Sequence, residues 1–201
     1  MKDTHDFTNN VRFQHAYMVE AYRILCSYMW GLVNFRLATE VEDTRQSTDA
    51  VLEVDGKVTI GMRVRRHKVY PNGKTYRDLT IRALSKGGGK TELAKMREGW
   101  CDWYFYGWLT PDSRLSEFML LEIEPLRRSG LLFDNRPITM NGDGTGFVSY
   151  TLKELYTTMS LFVCNLVVDG QRRSWIRSSK AAQFELPAHL KNAVRHQAVN
   201  F

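Results

Sequence analysis

The stretch Asp49 to Arg65 brings together the residue types best suited to chemistry on a charged ligand. An aspartate opens one strand-like run, Ala50-Val-Leu-Glu-Val. The turn signal Asp55-Gly56-Lys57 follows, and a second run, Val58-Thr-Ile-Gly-Met-Arg-Val-Arg, ends in alternating arginines. Period-two geometry puts Gly61, Arg63 and Arg65 on one face and Met62 and Val64 on the other. By the same rule Glu53 shares the face of Asp49. Across such a hairpin the acid approaches the arginines. That arrangement either binds an ion or forms an Asp–Arg pair on a half-exposed sheet.

Other stretches offer less. Gly87-Gly-Gly-Lys-Thr suggests a phosphate loop, but the glycine that loop needs five positions earlier is Leu84. A glycine-rich connector that still lays backbone N–H groups near a phosphate remains open. Lys90 and Lys95 flank the start of a short helix, where they either touch a nucleic-acid backbone or cap and solvate the helix. The five histidines show no metal-ligand spacing, and no GxSxG nucleophile motif occurs. The aromatic run Trp100, Trp103, Tyr104, Phe105, Tyr106 and Trp108 supplies either base-stacking surfaces or core and interface anchors.

The elements that must position these residues follow from periodicity. Three- and four-residue apolar steps predict a helix over 11–33. Strands are expected at 35–41, 50–54, 58–65, 78–84, 102–108 and 118–123, with a short helix over 91–98. Asn135 to Gly146, with Pro137 and three glycines, reads as a boundary. Helices are expected over 151–163 and 186–199. The expected fold is α+β: a nuclease-like core over 1–134 around one mixed sheet flanked by helices. A glycine-rich connector and a C-terminal helical extension then occupy 135–201.

The 201 residues carry a net charge of +6, and the excess is local: residues 61–100 hold 11 basic and 3 acidic side chains. A polyanion suits such a patch, and so does a role as a solvated face. Three widely spaced cysteines make no CxxC pair, which argues against a disulfide framework or zinc ribbon and fits a reducing cytosol. The longest apolar run, Leu161 to Val168, falls far short of the ~20 residues of a membrane span. The opening MKDTHDFTNN lacks the pattern of a signal peptide.

The order helix, three strands, helix, strand, with an Asp before a hairpin, resembles the PD-(D/E)XK nuclease-like fold. Ile60-Gly-Met-Arg-Val-Arg, then Leu79-Thr-Ile-Arg, then Lys90-Thr-Glu, Lys95 and Gly99, is similar to divergent, often phage-encoded members. The resemblance covers roughly residues 10–125 and leaves 135–201 uncovered. It implies a metal-dependent DNA nuclease or a catalytically decayed relative, in the cytoplasm of a host cell if phage-encoded. Active members hold Mg²⁺ or Mn²⁺ with an Asp and a second acid, and a lysine two positions on assists.

Carried onto this chain, the Asp position matches Asp49, the second acid falls on Arg63 and the lysine on Arg65. Glu20 matches an additional helix acid, and Glu53 or Asp43 is left to supply the missing carboxylate. Arginine offers a metal no ligand atom. Arg63, Arg65, Arg66, Lys90 and Lys95 are then the expected contacts to a DNA backbone. The arginine at the second-acid position also suits a non-catalytic inhibitor or binding protein that engages a protein partner or a protein–nucleic-acid complex.

Overall fold

Apolar residues at three- and four-residue spacing fold into helix α1 (Thr4–Tyr28), which buries Ala21 and Leu25. The computed structural model of the protein describes residues 4–28, 34–39, 41, 50–54, 56–69, 73, 75–168 and 171–176. After α1 come β1 (Asn34–Leu37), β2 (Ala50–Val54) and β3 (Gly56–Arg65), then β4 (Leu79–Leu84) and α2 (Glu92–Arg97). β5 (Trp103–Leu109), β6 (Leu115–Glu122) and α3 (Ile123–Arg128) follow. The chain continues through β7 (Thr139–Met140), β8 (Gly146–Tyr150), α4 (Leu152–Thr157), β9 (Leu161–Val168) and β10 (Gln171–Ile176).

Seven strands form one mixed sheet in the order β1-β2-β3-β5-β6-β9-β10. The only parallel neighbours among the described strands are β3 and β5. A parallel pair needs a long crossover, and residues 66–102 supply it, carrying β4 and α2 over one face. On that face Tyr104, Tyr106, Met119 and Leu121 pack against Leu79, Ile81, Leu93 and Met96. On the opposite face Met62, Phe105, Phe118 and Leu120 pack against α1. The molecule is therefore α+β, with the large sheet between α1 on one side and a small sheet with short helices on the other.

The end of β3 runs beyond β2, whose pairing stops at Ala50–Ile60. Gln14 of α1 closes part of that edge like a strand partner. Its Nε2 donates to the Val64 carbonyl at 3.0 Å, and its Oε1 accepts from the Val64 N–H at 2.9 Å. Gln14→Ala leaves both backbone groups without these bonds, so it should cost about 1–3 kcal/mol in a denaturant titration. A midpoint unchanged from the parent would show that water replaces the amide at no cost.

Three expectations are corrected. The strand at 79–84 does not join the main sheet; it forms a second sheet in the order β4-β8-β7. Residues 135–146 are not a boundary, because β7 and β8 make a hairpin and β8 pairs with β4. Arg136 ties the same stretch down, donating to Ser149 O at 2.9 Å and to Glu154 at 2.6 Å.

The helix expected over 151–163 stops at Thr157. Leu161–Val168 is instead strand β9, seated between β6 and β10. Leu161 to Cys164 are buried on both faces of the strand, as a strand between two neighbours allows, and Met159, at φ 59°, breaks the helix just before it. The described part of the expected C-terminal helical extension is thus largely strand. The helix expected over 186–199 lies outside the described residues.

Candidate basic cleft

The alternation of β3 survives in the fold and decides what its arginines meet. Arg63 lies opposite Tyr106 of β5 and Arg65 opposite Trp108, on the face that carries the crossover. Thr91 caps α2, its hydroxyl accepting from the Ala94 N–H at 3.3 Å, and so sets Glu92 in the first turn. Glu92 Oε1 accepts from Arg63 Nη2 at 2.7 Å and from the Tyr104 hydroxyl at 3.2 Å, while Oε2 accepts from the Arg82 N–H at 3.0 Å. One carboxylate thereby joins β3, β4 and β5 to α2.

A second clamp lies nearby. Arg77 donates to Glu117 at 2.5 Å, with side chains only 10% and 5% exposed, and its guanidinium stands 5.7 Å from the Trp108 ring centre. The Thr80 and Tyr106 hydroxyls share a 2.5 Å hydrogen bond. Just past β3, Arg66 lies 4.2 Å over the Phe13 ring of α1.

These groups line a cleft of about 1090 Å³ between α1, the end of β3 and the small sheet. Its cations are Arg63, Arg65, Arg66, Lys68, Arg77 and Arg82, against the carboxyls of Asp78 and Glu92. Arg65, Arg66 and Arg82 are exposed. With Arg63 paired to Glu92 and Arg77 to Glu117, the excess positive charge of the cleft sits on Arg65, Arg66, Lys68 and Arg82.

Asp78 is the anionic exception. Burial, reinforced by the negative charge of Glu154, raises its pKa above the ordinary Asp range. The folded state therefore holds this proton to higher pH than the unfolded chain does. Stability falls as pH rises through the interval between the unfolded and raised values, and above it the penalty is complete. Asp78→Asn should then raise the melting temperature at pH 7 and lose that advantage at pH below the ordinary Asp range. It should also tighten polyanion binding, by roughly threefold for one like charge a few ångströms away in a water-like dielectric. A lower melting temperature at pH 7 would contradict this reading.

Of the residues singled out by sequence, Arg63, Arg65 and Arg66 come together in the cleft. Asp49 and Asp43 lie outside the described residues. The backbone of Glu53 pairs with Lys57 and Asn34, and its side chain lies outside the description. Glu20 stands on α1, which packs on the Met62 face, away from the Arg63 side chain. Lys90 is exposed and paired with Glu98 at 2.6 Å, outside the cleft lining. Lys95 is 7% exposed, so the fold withdraws it from a surface where it was expected to meet phosphate. It is one of three buried residues of the short helix α2, with Leu93 and Met96. Most of the aromatic run is core: Tyr104, Phe105, Tyr106 and Trp108 are all buried.

None of the described residues form a group of three His, Cys, Asp or Glu side chains within reach of a common metal. Glu92, the acid nearest Arg63, already accepts three hydrogen bonds. Sequence reasoning gave Glu92 no role in the cleft. It missed Arg77, Asp78, Tyr76 and Phe147 as cleft residues. The available signal was the alternation on β4, which sends Thr80 and Arg82 to one face and Leu79 and Ile81 to the core.

No family model, curated protein or solved structure matches this chain. No helix among the described residues is long and apolar enough to cross a membrane.

Proposed function

We propose that the protein binds nucleic acid through phosphate contacts in this cleft, as a relative of the PD-(D/E)XK-like proteins that has lost metal-dependent cleavage. One observation carries the reading: beyond the Arg63–Glu92 and Arg77–Glu117 pairs the cleft lining still holds Arg65, Arg66, Lys68 and Arg82, and exposed Arg65 and Arg66 stand at its β3 edge. Guanidinium groups recognise phosphate oxygens in pairs of charge-assisted hydrogen bonds. Arg63, at the second-acid position, is held by Glu92 and serves to shape the cleft wall. The contacts are to backbone, so sequence preference is weak.

The test combines binding and cleavage. Oligonucleotide affinity should fall with salt at a log–log slope of about −0.7 to −0.9 per phosphate neutralised. Incubation of DNA with the protein and Mg²⁺ or Mn²⁺ should give no cleavage above that of Asp49→Ala. Asp49-dependent cleavage would restore the nuclease reading, and salt-independent binding would remove the phosphate one.

A further inference from the structure

We infer that the strand this cleft takes is unpaired, with bases stacked on the cleft-lining face of the small sheet; the inference rests on the phosphate-binding reading above. The register of that sheet supplies the platform. Phe147 of β8 lies directly across from Arg82 of β4, and Ser149 across from Thr80. These four side chains share the face that lines the cleft, while Leu79, Ile81, Val148 and Tyr150 on the other face are buried in the core. Tyr76, 47% exposed, joins the lining from the loop before β4.

Phe147 is half-buried, and a partly exposed ring on a sheet face beside a guanidinium is an arrangement on which a base stacks, since every base has a face to offer. The β3 arginines then follow the phosphates on the neighbouring wall. Shape favours the same conclusion. Here the cations line a concavity, of a size close to the roughly 300–1,000 Å³ of small-ligand pockets. A single strand can enter such a concavity with its bases exposed. The shared chemistry is a phosphodiester strand with free base faces, and it has two sources, DNA and RNA.

Fluorescence anisotropy tests this with one sequence of about 12 nucleotides, within the roughly 4–16 that single-strand sites cover, prepared as unpaired DNA, unpaired RNA and duplex DNA. At least one unpaired probe should bind about tenfold tighter than the duplex, and the DNA and RNA arms decide between the sources. Phe147→Leu keeps the apolar volume and removes the ring. It should weaken the unpaired probe by about tenfold, leave duplex affinity and the salt slope unchanged, and keep the parent melting temperature. Phe147→Trp should hold or improve affinity. Steep salt dependence with equal affinity for duplex and unpaired probes, or a silent Phe147→Leu, would overturn the unpaired-strand inference alone. Salt-independent or absent binding of all three probes would overturn it together with the phosphate reading.

Discussion

Glu92→Ala will melt about 5–15 °C below the parent protein. The carboxylate accepts from Arg63, the Tyr104 hydroxyl and the Arg82 N–H, on three different strands. Truncation removes a charged partner of the Arg63 guanidinium, whose side chain is only 16% exposed. Breaking a buried pair costs about 3–5 kcal/mol. Partial exposure of this one lowers the expectation to about 2–4 kcal/mol. At roughly 2–4 °C per kcal/mol for a chain of this size, the stated range follows.

Glu92→Gln keeps an acceptor and should fall between the two. Arg63→Met combined with Glu92→Ala should recover part of the loss, because no charge is then stranded. Circular dichroism melts of the four proteins measure this. A Glu92→Ala melt within about 1 °C of the parent would show that the node does not hold the cleft wall.

The same node divides the arginines of β3 by role. Arg63 is committed to Glu92. Arg65 and Arg66 are exposed, and among the described contacts Arg66 meets only the Phe13 ring. Replacing Arg63 should therefore move stability, while replacing the other two should move binding.

Local patterns carried much of this into the sequence. Asp55-Gly56-Lys57 marks the β2–β3 turn, and alternation alone places Arg63 and Arg65 on one face. What was not legible is non-local. Arg63 and Glu92 are 29 residues apart, and only the crossover between β3 and β5 brings them together. The small sheet needs Leu79 to meet Tyr150, a pairing no local pattern announces. The glycines of 135–146 look like a linker, yet they form a hairpin loop in which Gly144 takes φ +83° and Asn141 N–H donates to Thr145 O at 2.8 Å. Leu161 to Cys164 lack alternation because both faces are buried there, so strand and helix were indistinguishable over that stretch. Lys95 was misplaced for a related reason: a lysine beside a helix start reads as solvated until the partner surface is known.

The most direct test of the central claim is the salt dependence of oligonucleotide binding by Arg65→Ala/Arg66→Ala beside the parent. Affinities for one unpaired oligonucleotide are measured at a series of salt concentrations, with a melt of each protein. If each arginine neutralises one phosphate, the double variant's log–log slope is flatter by about 1.4. Its melting temperature stays at the parent value, because neither side chain is a buried partner. An unchanged slope in a double variant that melts like the parent would contradict the account.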